Sequence, residues 1–249
     1  MFIEQPARFL RWLYPRAIWR MDPSVKAVYL TFDDGPIPEA TPFVLETLAR
    51  YGIKATFFVV GDNVRKHPDV FRQVVEAGHR IGNHTYNHIG GFRWLSRNYL
   101  RNTKKAQELI EKMQETHPLT PPCEGGEWSP EIAKGSSASQ THSTPLPNRE
   151  GQGGGSSPLF RPPHGWMRPL QYQVIRRKHY RIIMWDVVTR DYSRNLTAEE
   201  VLENVKRYTR NGSIITFHDS LRSIDKLRQM LPAALEWLIE QGYEFRVFE

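Results

Sequence analysis

Along the chain, short apolar runs alternate with stretches in which apolar side chains recur every three or four residues. Val28-Tyr29-Leu30-Thr31-Phe32 is a β-branched and aromatic run that stops at Asp33-Asp34-Gly35-Pro36, which predicts a buried strand ending in a loop. From Thr41 to Tyr51, Phe43, Val44, Thr47 and Leu48 share a helical face, with Pro42 tolerated in the first turn and Gly52 as the stop. The unit then repeats. Ala55 to Val60 reads as a second buried strand, and Asp69 to Ala77 as a helix closed by Gly78. Further strands are predicted around residues 80–83, 159–161, 181–185, 213–217 and 244–248, and helices over 99–113, 169–178, 198–210 and 225–241.

Such alternation predicts an α/β fold on a parallel sheet or barrel of about seven strands. Catalytic groups in such folds gather at the C-terminal ends of the strands. Residues 1–25 precede the pattern as an N-terminal extension, and residues 26–249 carry it as one domain. Residues 118–158 break it: they are dominated by Pro, Gly, Ser, Thr and Glu and show neither helical nor strand period. A stretch of roughly forty residues that buries too little apolar surface to offset its ordering entropy reads as a disordered insertion.

Composition narrows the chemistry. A hydrophobic fraction of 39% and a charged fraction of 24% over 249 residues are those of a soluble globular protein. The single cysteine, Cys123, excludes an internal disulfide and a thiolate metal site, so any metal must be held by His and carboxylates. Glu4, Arg8, Arg11, Arg16 and Arg20 interrupt the apolar residues near the N-terminus, which is not the pattern of a signal peptide. No run approaches the roughly 20 apolar residues of a transmembrane segment. A cytoplasmic location is therefore expected, with export by another route left open. A net charge of +7 raises nucleic acid as a partner. The basic residues are scattered without a recognition signature, and no nucleic-acid partner is expected.

Two pairs of residues carry the first chemical signal. Asp33 and Asp34 follow the first strand, and His84 and His88 follow the third. Histidines at i and i+4 can share a helical face, and with one carboxylate from another loop they make a three-ligand metal site with an open position. Adjacent aspartates allow one to bind metal while the other accepts a proton from water attacking an amide carbonyl. His218, at the end of a late strand, is placed to protonate the leaving amine.

With these motifs in order, the chain resembles the polysaccharide deacetylase family, also called the NodB homology domain or carbohydrate esterase family 4. Thr31-Phe32-Asp33-Asp34-Gly35-Pro36 is similar to the family's first motif and implies Asp33 as catalytic base and Asp34 as metal ligand. Asn83-His84-Thr85-Tyr86-Asn87-His88 resembles the second, with His84 and His88 as ligands. Arg161-Pro162-Pro163-His164-Gly165 resembles the third, whose Arg orients the base while Pro162, Pro163 and His164 line the substrate groove. The fourth spans Trp185 to Tyr192 and the fifth Ile215 to Asp219, with His218 as the acid and Trp185 near the groove. Two departures stand out. Val188 occupies the position of the fourth motif's first acid, which leaves Asp191 or Asp186 as the expected partner of Arg161. Thr216 stands where the family usually has a Leu lining the acetyl pocket.

The resemblance covers residues 26–249 apart from the insertion, and implies a distorted, incomplete (β/α) barrel of about seven parallel strands. It also implies a hydrolase that removes N-linked acetyl groups from an N-acetylated glycan with a divalent metal, zinc first and cobalt or nickel as alternatives. A metal-dependent amidohydrolase of small non-sugar amides would need the same site chemistry. A binding module without turnover is disfavoured because the motif acids and bases are present. Neither the particular glycan nor the oligomeric state is written in the sequence.

Overall fold

The computed structural model describes residues 4–6, 8–115 and 157–249. The expected insertion at 118–158 lies outside the described residues except for Ser157 and Pro158. Eight helices and eight strands follow one another along the described chain, mostly in alternation. They are α1 (Arg8–Leu13), β1 (Ala27–Asp33), α2 (Thr41–Arg50), β2 (Thr56–Val59), α3 (Gly61–Lys66), α4 (Pro68–Glu76), β3 (Arg80–Asn83) and α5 (Ser96–Glu115). After the insertion come β4 (Leu159–Phe160), α6 (Pro169–Arg177), β5 (Arg181–Ile182), β6 (Val187–Val188), α7 (Ala198–Tyr208), β7 (Ser213–His218), α8 (Ile224–Glu240) and β8 (Glu244–Phe245).

Seven strands run in the order β5-β4-β3-β2-β1-β7-β6, all parallel, and β8 pairs with the start of β1. This is the incomplete (β/α) barrel of about seven parallel strands that the sequence implied. All seven residues of β1 and all four of β2 are buried. Strands covered on both faces need side chains that pack everywhere, hence the unbroken apolar runs in place of alternation. Phe32 stacks between Phe57 and Phe217 at centroid separations of 5.1 and 5.4 Å, so three neighbouring strands are keyed by one aromatic column. Outside it, α4 buries Val70, Phe71, Val74 and Val75, and α8 buries Leu227, Met230, Leu231, Ala234, Leu235 and Leu238, each at helical spacing.

Residues 14–21 are built into this fold. Tyr14 and Trp19 are 3% and 6% exposed and pack with Tyr172, Ile175, Ile182 and Met184. Ile18 donates its N–H to Ile182 and accepts from Met184, while Met21 donates to Gly212. The segment thereby ties the end of β5 to the start of β7. The β5 edge, which would otherwise present unpaired backbone groups, is covered. β6 and α3 were not expected from the sequence.

Candidate active site

The C-terminal ends of the strands hold Asp33, Asp34, His84, His88 and His218 on one cleft of about 790 Å³, with Arg161 and Asp191 buried behind it. Asp33 closes β1 and is paired in register with His218, which closes β7. Asp34 follows in the left-handed region (φ 82), a conformation that Asp tolerates better than most residues. Its carbonyl accepts from Asn63 Nδ2 of α3 at 2.7 Å, so this charged helix without apolar period is a brace for the loop. Asp219 braces it from the other side, accepting from Gly35 N at 3.1 Å and Thr41 Oγ1 at 2.6 Å. A Cβ on Gly35 would come within 2.0 Å of the Asp219 carboxylate, which explains the glycine.

His84 and His88 do not share a helix. They lie in a loop after β3 in which Thr85 and His88 take positive φ, 64 and 53. Asn83 Oδ1 accepts from Thr85 N at 2.8 Å, and Asn102 Oδ1 from Tyr86 N at 2.8 Å and Asn87 N at 3.1 Å. These side chains replace the helical bonds and fold the backbone back, which brings the two rings to 5.0 Å. His84 Nδ1 is 2.8 Å from the Arg161 carbonyl, so that nitrogen carries the proton and Nε2 keeps its lone pair. Burial, then His88, pushes the His84 pKa well below the ordinary imidazole value and holds the ring neutral.

Asp34 Oδ1 lies 3.1 Å from His88 Nε2 and 3.8 Å from His84 Nε2. That oxygen is buried without a hydrogen-bond partner. An orphaned carboxylate oxygen facing two imidazole nitrogens is the donor set of a divalent metal, and the donors of Asp34, His84 and His88 all lie within 4.8 Å of one another. The residues present fit a metal.

Asp33 is tied through Oδ1 to Arg161 Nη1 at 2.7 Å, while Oδ2 lies 3.9 Å from His84 Nε2. The partner of Arg161 is therefore neither Asp186 nor Asp191. The guanidinium is fully buried and spends its remaining donors on Thr31 Oγ1 and on the carbonyls of Ile183 and Met184. Asp186 is bonded elsewhere, to Arg11, Arg210 and Ser213. Asp191 uses both oxygens on His218, Oδ1 to Nδ1 at 2.8 Å and Oδ2 to the backbone N–H at 2.7 Å. Burial raises the Asp33 pKa against the pull of Arg161 and His218. Burial alone would lower His218, but the charge and hydrogen bond of Asp191, aided by Asp34 and Asp33, hold it up at about 9. One side of the cleft is thus a basic carboxylate and the other a protonated imidazole.

Of the expected groove residues, Pro162, His164, Trp185 and Thr216 line the cleft and Pro163 does not. Pro163 is buried at the start of the turn Pro163–Gly165, in which His164 takes positive φ (59), and its neighbours reach the opening instead. His164 packs edge-on against His88 at 4.8 Å. Trp185 also packs: Gly165 lies on its ring, and Trp19 meets it at 6.3 Å. Thr216 is buried, its Oγ1 3.1 Å from Thr31 Oγ1, and Val188 lines the cleft beside it. Sequence reasoning missed Asp219, which stands next to His218 in the fifth motif, and Tyr192, named only as the end of the fourth motif, whose ring meets His218 edge-on at 4.7 Å. It also missed Phe9 and Leu10, which reach the cleft from α1.

The model of a family described as polysaccharide deacetylase matches residues 20–140. A peptidoglycan-N-acetylglucosamine deacetylase of Bacillus cereus is 28% identical over 229 residues, 91% of this chain and 88% of that protein. The peptidoglycan-N-acetylglucosamine deacetylase PgdA of Listeria monocytogenes is 29% identical over 88% of this chain, which spans 37% of that protein's length. Among solved structures, Bacillus subtilis PdaA, a family 4 carbohydrate esterase, superposes with a TM-score of 0.71 at 22% identity, covering 98% of this chain and 90% of that one.

Proposed function

We propose, from the premise that this chain belongs to the polysaccharide deacetylase family, that it is a metal-dependent hydrolase removing N-linked acetyl groups from the amino sugars of a glycan. The observation that carries the reading is the opposition of Asp33 and His218 across one cleft, beside three residues fit to hold a metal. Asp34, His84 and His88 would hold a divalent cation, and their two imidazoles and one carboxylate favour zinc. Bound there, the cation supplies positive charge that polarises an amide carbonyl and acidifies water.

The chain's own groups divide the proton transfers. Asp33 takes a proton from the attacking water at Oδ2, the oxygen that Arg161 leaves free. Arg161 fixes the carboxylate's orientation without leaving the core. His218 gives a proton from Nε2 to the amide nitrogen as the carbon–nitrogen bond breaks, releasing acetate and an amine, while Asp191 at Nδ1 keeps the ring charged and aligned. Pro162, His164 and Trp185 flank the sugar. Thr216 helps form the acyl pocket, and the engagement of its hydroxyl with Thr31, beside Val188, supports an acetyl methyl there.

The test is release of acetate from N-acetylglucosamine oligomers and from peptidoglycan fragments by protein loaded with zinc, cobalt or nickel. Turnover of a glycan with any of these ions, abolished by a chelator, is the expected result. Release from simple amides with none from any glycan would replace the sugar in this reading with a small amide.

A further inference from the structure

Eight of the ten exposed large hydrophobic side chains among the described residues fall in three short segments. On α1, Phe9, Trp12 and Leu13 are 57%, 81% and 41% exposed, and their i, i+3, i+4 spacing puts them on one face. Phe92, Trp94 and Leu95 follow the histidine loop, and Trp166 and Leu170 lie at the start of α6. The segments adjoin. Tyr14 Oη donates to the Met167 carbonyl at 2.7 Å, Gly91 N donates to the Trp166 carbonyl at 3.2 Å, and the rings of Phe92 and Trp166 meet edge-on at 5.7 Å.

The charge of these segments is one-sided. Residues 5–21, 89–107 and 157–185 hold fifteen of the chain's 34 Lys and Arg and none of its 27 Asp and Glu; Arg161 is buried against Asp33, and Arg11 and Lys104 pair with Asp186 and Glu108, while the others keep the face basic. Leu, Phe and Trp set among arginines are the signature of a surface lying in the headgroup region of an anionic bilayer. Here Leu13, Leu95 and Leu170 make up much of the patch, and Trp12, Leu13 and Leu95 lie outside the cleft lining. The patch borders the cleft through Phe9 and Trp166, which line it. Among the described residues no helix is long and apolar enough to cross a membrane, so contact would be peripheral.

We propose that this face docks on an anionic lipid surface, with the mouth of the cleft at the bilayer. The full chain is sedimented with vesicles of phosphatidylcholine, alone or with about a third phosphatidylglycerol. Partition onto the anionic vesicles, weakened by salt and at least about tenfold stronger than onto the neutral ones, is expected. Trp12→Glu and Leu95→Glu should each lower it about tenfold, while hydrolysis of soluble chito-oligomers stays unchanged. Quenching of tryptophan emission by brominated lipid reads insertion in the unaltered chain. Absence of quenching, or partition indifferent to both substitutions, overturns the proposal. So does binding to a soluble acidic polysaccharide without binding to vesicles, and so does self-association abolished by Trp12→Glu, which would make the face a contact between copies.

Discussion

Replacing Asp191 with Asn tests the acid side of the cleft. In the folded chain His218 is held at about 9, with Asp191 the largest contribution opposing burial. Without that charge, burial leaves the ring at or below its ordinary value of about 6.5. A fall of about 2.5 units is worth roughly 3 kcal/mol of differential stabilisation of the imidazolium. At pH 8 the protonated fraction would drop from about nine-tenths to a few hundredths, a loss of about 30-fold in kcat/KM, while at pH 6 the loss would be less than about twofold. A bound cation lowers the ring in both proteins, so the quantity to read is the displacement of the basic limb between them. The assay is a pH–rate profile of acetate release from a chito-oligomer, with a melting curve for each protein. Asn keeps one acceptor for Nδ1 but leaves the His218 backbone N–H without its partner, so some loss of stability accompanies the change. A loss equal at pH 6 and pH 8, or an unmoved basic limb, would refute the assignment of His218 as an acid poised by Asp191.

Asp33→Asn should retain metal, by elemental analysis, and lose about 10²- to 10⁴-fold in kcat; retained turnover would exclude Asp33 as the base. His84→Ala should lose both metal and turnover, and unchanged metal content would exclude His84 as a ligand. Gly35→Ala forces a Cβ into a carboxylate that Thr41 holds in place, so a loss of about 1–3 kcal/mol in stability is expected together with weaker metal retention. Urea melts and metal titration read the two effects. His79 is buried, its Nδ1 accepts from Ala55 N, and burial depresses its pKa to about 4. The native state therefore resists protonation that the unfolded chain accepts. His79 costs no stability above the unfolded value near 6.5, and stability falls as the pH drops from there towards 4. Urea melts of His79→Gln should show a shallower decline over that window, and parallel declines would exclude His79 as the source.

The strands and helices with strong period were legible because both-face burial and amphipathic spacing are written in composition. β6 was not, since two valines carry no period, nor was α3, whose role lies in Asn63 rather than in an apolar face. The chemical residues were legible as types at strand ends, but their pairings were not. Asp186 and Asp191 could not be told apart in sequence as further partners for Arg161, the residue implied to orient the base Asp33. Only the closure of the sheet puts Asp33 beside the guanidinium, gives Asp191 to His218 and leaves Asp186 to Arg11 and Arg210. The histidine spacing misled for a related reason. Two residues in left-handed backbone, supported by Asn83 and by the distant Asn102, achieve what a helix would have done.

The segment around Ile18 also bears on how the chain is made. Its partners are Ile183 and Ser213, supplied more than 160 residues later. A ribosome adding about 5–20 residues per second needs about ten seconds or longer to produce them. Throughout that interval Ile18 and Trp19 have no place to pack, and strands β1 to β3 can assemble without them. Closure of the seam is therefore a late event in biogenesis, and substitutions at Tyr14, Ala17 or Ile18, which lie outside the cleft lining, should lower the yield of soluble protein more than they disturb the cleft of molecules that have already folded.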